Sequence, residues 1–214
     1  MTSVTATSGA GDAHHYRDDV PVDSVGATLL RAANDVLAAH GPAALTVRRI
    51  AAEAGVSTMN VYSRFGGKDG VVEHLYVEGF HRLREAMLSG PLTDDPLGDL
   101  RRCGESYRRF AHEQPTYYAI MFDRVVEFDP SPEALAEAGS TLQLLADRLL
   151  RAMDAGQLVR ADPLATAASV WATCHGLVSL ERKDVAPPGV QWDEVFAATT
   201  AALLRGLATP ATDR

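Results

Sequence analysis

The stretch from Leu45 to Lys68, LTVRRIAAEAGVSTMNVYSRFGGK, limits the possible folds more than any other part of the chain. The hydroxyl of Thr46 can accept from the free backbone N–H groups of Val47 to Arg49, so a helix is predicted to start there. Val47, Ile50, Ala51 and Ala54 recur on one helical face, which leaves Arg48 and Arg49 pointing outward. Gly55 stands where helices commonly end in a left-handed residue, and Val56 then plugs the corner. Ser57 has N-cap chemistry for a second helix, which continues to Phe65 until Gly66 and Gly67 stop it. On that helix Val61 and Phe65, four apart, face inward, while Thr58, Asn60, Tyr62 and Arg64 face outward. The outward groups are hydroxyls, an amide and a guanidinium, which bond phosphate oxygens and base edges. The spacing therefore predicts two short helices joined by a sharp turn, with the second placed to enter a DNA groove.

This segment closely resembles the helix-turn-helix of the tetracycline-repressor (TetR) family of bacterial transcription regulators. Leu45, Thr46, Val47, Arg48, Ile50, Ala51, Ala54, Gly55, Val56, Ser57, Tyr62, Phe65 and Lys68 all match the family pattern. It departs at Asn60, where Thr is usual, at Arg64 (His or Tyr), at Gly67 (Ser or Asn), and at Val71 or Val72 (Leu). The DNA-contacting set expected is Thr46, Val47, Arg48, Ser57, Thr58, Met59, Asn60, Tyr62, Arg64 and Lys68. Within it, Thr46, Tyr62 and Lys68 would hold phosphates, and Thr58, Asn60 and Arg64 would read bases. Arg64 suits guanine and Asn60 suits adenine, both bidentately. Since Asn60 and Arg64 are departures, the resemblance does not carry an operator sequence with it.

The net charge of −8 runs against a role that depends on neutralising phosphates. Its distribution does not: the Leu45–Lys68 stretch holds Arg48, Arg49, Arg64 and Lys68 against Glu53, a local balance of +3. Residues 1–22 are small and polar and read as a disordered arm, with 209–214 as a tail. A first helix from Asp23 to His40, with Val25, Leu29, Ala33, Val36 and Leu37 inward, completes a three-helix head over 23–67. Over 68–208 the apolar spacing predicts a larger helical domain, with helices near 68–88, 96–112, 115–123, 131–155, 162–182 and 192–207. The fold class expected is all-α, with no sheet. By resemblance, the 68–88 helix links a ligand domain to the DNA head.

In the body, Trp171 to Leu177 is similar to the Trp-x-x-x-His-Gly signature of one subclass of TetR-family C-terminal domains. Trp171 and His175 are four apart and share a face. His175 is either a core histidine with one nitrogen satisfied or a ligand-facing switch. Tyr107, Phe110, Tyr117, Tyr118, Met121, Phe122 and Phe128 concentrate aromatic and thioether groups that would either pack a core or line a pocket. The candidate effector set is Tyr107, Phe110, Tyr117, Tyr118, Met121, Phe122, Trp171 and His175, for an apolar or aromatic small molecule. Apolar surface with small residues on the last two helices predicts a dimer interface through Ala167, Val170, Leu177, Val178, Phe196, Thr199 and Leu203. The expected function is a homodimeric regulator, most often a repressor in this family, released from a palindromic operator by a small molecule. The competing expectation is a helical ligand-binding or partner-binding protein whose head no longer reads DNA specifically.

Catalysis is not expected. Glu78 and His81 form one Glu-x-x-His half-site without a second copy, and Gly66-Gly67-Lys68 lacks the first glycine of a phosphate loop. Cys103 and Cys174 are too few for a disulfide framework and show no metal spacing, so neither metal nor cofactor is expected. With no signal pattern and no long apolar run, a cytoplasmic protein without membrane contact is expected.

Overall fold

The computed structural model describes residues 23–210. The arm expected at 1–22 and the last four residues of the expected tail lie outside the described residues.

The head consists of α1 (Ser24–His40), α2 (Val47–Glu53) and α3 (Thr58–Phe65). Asp23 caps α1, its carboxylate accepting from the backbone N–H of Gly26 at 2.7 Å. Leu29, Ala33, Val36 and Leu37 of α1 are buried as expected, and Val25 is half-buried against the same core. They close over Ile50, Ala51, Val61 and Phe65, together with Val71, Val72 and Leu75 from the next helix. Full burial of each Val, Leu or Ile contributes about 1.5–3 kcal/mol, so this cluster holds three short helices that would not persist alone.

The linking helix α4 (Lys68–Leu88) belongs to both halves. Its first turn crosses the end of α3 so closely that a Cβ on Gly70 would lie 1.8 Å from the carbonyl oxygen of Phe65. Glycine is thus required at this crossing, where α4 meets the end of α3. Farther along, Gly79, Phe80, Leu83 and Met87 are buried in the body.

The body adds α5 (Pro96–Glu113), α6 (Pro115–Tyr118), α7 (Pro132–Asp154), α8 (Pro163–Arg182) and α9 (Trp192–Leu207). α4, α5, α7 and α8 pack on one another, and α9 lies against α8 and α5. The 89–95 connection is fixed by Asp99. Its carboxylate accepts from the Thr93 N–H at 2.9 Å, the Thr93 hydroxyl at 2.8 Å, Arg151 at 2.5 Å, and Arg102. Burial pushes this carboxyl up, but those donors outweigh it and hold its pKa at about 2.

One element differs from expectation. The helix foreseen over 115–123 is α-helical only to Tyr118, and Ala119–Asp123 form a π-helical turn. The turn closes when the Arg124 N–H donates to the Ala119 carbonyl five residues back, with Arg124 in the left-handed region at φ 49°. Among the described residues no strand forms; Leu158 and Ala208 make an isolated bridge.

Candidate functional site

The reading helix α3 is built as its residues dictate. Thr46 caps α2, its hydroxyl accepting from the Arg49 N–H at 3.2 Å. Gly55 takes φ 68°, and the N–H of Val56 returns to the Ala51 carbonyl at 2.9 Å, which reverses the chain between α2 and α3. Thr58, Met59, Tyr62 and Ser63 are exposed on α3, while Val61 and Phe65 are buried. Met59 is 69% exposed and Tyr62 54%, so this face carries large apolar surface as well as polar groups. Arg48 and Arg49 on α2 are exposed, and Lys68 lies half-exposed at the start of α4, 3.5 Å from Asp69.

Two residues of the reading set are held differently from expectation. Ser57 occupies the N-cap position, but its hydroxyl accepts the Asn60 side-chain amide at 3.1 Å and makes no backbone cap bond. Arg64, expected to present a free fork to guanine, gives Nε and Nη2 to the Asp23 carboxylate at 2.9 and 2.7 Å. Its Nη1 donates to Asn60 Oδ1 at 2.9 Å. The Arg64 hydrogen bond is the largest influence on Asp23, whose carboxyl is pulled down to about 2.

The body encloses a cavity of about 590 Å³ between α4, α5, the π turn, α7, α8 and α9. That size falls within the range of small-molecule sites. Of the expected effector residues, Tyr107, Met121, Phe122 and Trp171 line it. The other four do not. Phe110 is core at 3% exposure, and Tyr117 packs beneath the Arg82 guanidinium. Tyr118 and His175 stand one layer behind the wall. The Tyr107 and Tyr118 hydroxyls lie 3.0 and 2.9 Å from His175 Nδ1 and 3.4 Å from each other, a closed triangle. Burial lowers the His175 pKa, opposed by Asp123 and helped by Lys183. His175 is thus half-buried, with Nδ1 in hydrogen-bond reach of both hydroxyls.

The sequence reading missed the opposite wall. Tyr76, Phe80, Leu83 and Met87 of α4 line the cavity. Their three- and four-residue spacing was visible, but the same spacing describes any buried helix face. The charged lining residues Arg101, Glu105, Arg108 and Asp193 come from α5 and α9, and all except Arg108 are exposed, so they mark the opening. There Arg108 joins α8 to α9 by bonding Glu181 at 2.5 Å and Asp193 at 2.6 Å.

Most of the expected dimer contacts are corrected by burial. Ala167 and Val178 are 0% exposed and Phe196 is 5% exposed within one chain. Val170, Leu203 and Phe196 line the cavity, while Leu164 and Leu180 of α8 stay exposed. Leu177 and Thr199 are half-buried, and the outer surfaces of the two helices carry Ala165, Ala168, Ala198, Ala202 and Gly206.

Family comparison agrees with this two-part arrangement. The profile described as "Bacterial regulatory proteins, tetR family" matches residues 29–75. The one described as "Tetracyclin repressor-like, C-terminal domain" matches residues 100–203. The chain belongs to the TetR family. Its members are DNA-binding transcription regulators and not enzymes, and this TetR-family protein has their all-α fold, with a helix-turn-helix head and a larger helical body. No curated protein matches the sequence. Among solved structures, a protein of unknown function from Rhodococcus sp. RHA1 is 24% identical with a TM-score of 0.78, covering 90% of this chain and 100% of its own. The regulator PfmR from Thermus thermophilus is 22% identical with a TM-score of 0.63, covering 83% and 97%. FadR from Bacillus halodurans, a fatty acid degradation regulator, is 21% identical with a TM-score of 0.67, covering 86% and 96%. Among the described residues no helix is long and apolar enough to cross a membrane, and no cluster of His, Cys, Asp and Glu is placed to hold a metal.

Proposed function

We propose that this TetR-family regulator is a repressor that grips a palindromic operator as a homodimer and releases it when a small molecule fills the body cavity. The observation that carries this reading is the pairing of an exposed α3 face with an apolar body cavity open at one side, joined by the single helix α4. α4 supplies Tyr76, Phe80, Leu83 and Met87 to the cavity wall and Val71, Val72 and Leu75 to the head core. A ligand that shifts those four side chains moves the helix on which the head is mounted, and so biases the placement of α3.

The effector is an apolar molecule without a formal charge in its buried part. Leu83, Met87, Leu100, Leu145 and Phe122 offer a charge no compensation, and the charged groups stay at the opening. Two copies joined through the small exposed residues of α8 and α9 would set paired α3 helices one helical turn apart, about 34–36 Å, on a two-fold site. Thr46, Tyr62 and Lys68 serve as phosphate contacts, and Thr58, Met59 and Asn60 face the bases.

The test is footprinting on genomic fragments from around the gene, with and without neutral apolar compounds. A protected palindrome that is lost on addition of a compound supports the reading. Only weak binding, abolished by modest salt and indifferent to sequence, sinks it in favour of a helical ligand-binding protein that no longer reads DNA.

A further inference from the structure

The chain Ser57, Asn60, Arg64, Asp23 is a continuous run of side-chain hydrogen bonds along the exposed side of α3. It ends on a residue that lies outside the helix-turn-helix. Asn60 Nδ2 donates to Ser57 Oγ, and Asn60 Oδ1 accepts from Arg64 Nη1. The opposite amide orientation would set an NH2 group against guanidinium donors, so these two neighbours fix the amide. Arg64 Nη1 also lies 3.4 Å from Ser63 Oγ. With Nε and Nη2 committed to Asp23, the guanidinium keeps no pair of parallel free donors, which recognition of guanine O6 and N7 requires. The amide keeps one N–H and one lone pair, which is what adenine N7 and N6 require.

Position agrees with bonding. Arg64 is next to last in α3, whereas the N-terminal residues of a recognition helix are those that reach base edges. Swinging Arg64 onto the DNA would leave the Asp23 carboxylate without its ion-pair partner. The pair is also exposed, with side-chain accessibilities of 27% and 54%, and surface ion pairs of this kind add little stability. Its effect is therefore on orientation.

We infer that Asp23 is a specificity-positioning residue for the DNA-reading site: it holds Arg64 off the bases and thereby leaves Asn60, with its amide fixed, as the adenine reader. The inference rests on the DNA-reading role proposed above. It makes specificity depend on a residue 41 positions away from Arg64 in sequence.

The test is selection of binding sites from a randomised duplex pool by the full-length wild type, Asp23→Asn, Asp23→Ser and Arg64→Ala, with salt titration of each. Asn and Ser remain good N-caps, so both Asp23 variants keep α1 capped while losing the ion pair. Wild type is expected to select adenine at one position of each half-site. Both Asp23 variants are expected to lose about tenfold of that preference, to gain guanine or unspecific binding, and to steepen the salt slope by about 0.9 as Arg64 is freed. Arg64→Ala is expected to lose the adenine preference without gaining guanine. If the Asp23 variants keep the wild-type preference and slope, or if Arg64→Ala deletes a guanine preference that wild type has, the inference is overturned while DNA reading stands. A wild type that selects no site overturns both.

Discussion

On α3 the groups offered to a partner are exposed or half-exposed, and Ser57, Asn60 and Arg64 among them are already bonded to one another. Around the body cavity they are apolar, mostly buried and held by packing alone. Met59, Tyr62 and Thr58 contribute almost nothing to the core, so the reading face can change without cost to the fold. Phe122, Met121, Leu145 and Leu204 are core residues that also face the cavity, so ligand preference there cannot change without altering stability. The contrast explains why Asn60 and Arg64 depart from the family pattern while Phe65 beside them does not: it closes the head core.

Mutations can break or sharpen that contrast. The largest effect is expected in the packed head. Ile50→Ala removes a side chain with 0% exposure and should cost about 2–5 kcal/mol in chemical denaturation, with operator binding lost in step. If it costs under about 1 kcal/mol, the head is not packed as described.

Next comes a paired enlargement. Ala51→Leu inserts atoms into the filled head core and should destabilise by about 1–3 kcal/mol. Ala138→Leu points at the cavity, and should shift stability by no more than about 0.5 kcal/mol while abolishing the thermal shift given by a neutral apolar dye such as Nile red. Equal losses from the two substitutions would mean that the body has no usable cavity.

Acid should expose a third difference. The Asp23 and Asp99 carboxyls are both held at about 2 against an ordinary 3.8. Groups lowered on folding stabilise above their unfolded value, so this contribution is complete above about pH 4 and is lost as pH falls toward 2. Asp99→Asn should flatten that part of the acid-unfolding curve, whereas Asp23→Asn, which removes an exposed ion pair, should change it little. A curve unchanged by Asp99→Asn would refute the Asp99 network.

The smallest effect belongs to the periphery. Lys68→Ala should leave the melting temperature unchanged and reduce the salt slope of operator binding by about 0.9, the signature of one lost phosphate contact. An unchanged slope would remove Lys68 from the phosphate set.

Local chemistry explains what was legible. Thr46, Gly55 and the Val61/Phe65 pair act within a few residues of chain, so the turn and the faces of α2 and α3 could be read from spacing. The same rule failed at 119–123, where an α-helix and a π turn share the same apolar pattern. It failed again on α8 and α9, where Ala167, Val178 and Phe196 looked like interface residues. An apolar stripe shows that a face is covered and does not say by what.

By itself, the sequence determined the all-α class, the helix-turn-helix and the concentration of aromatic residues in the body, since caps, glycine turns and periodicity act between near neighbours. The tertiary structure alone decided which of those aromatics face the cavity, and that α4 forms its other wall. It also decided that Arg64 faces Asp23 and not open solvent. Those outcomes depend on residues brought together from distant parts of the chain, and a guanidinium takes whichever carboxylate the fold sets beside it.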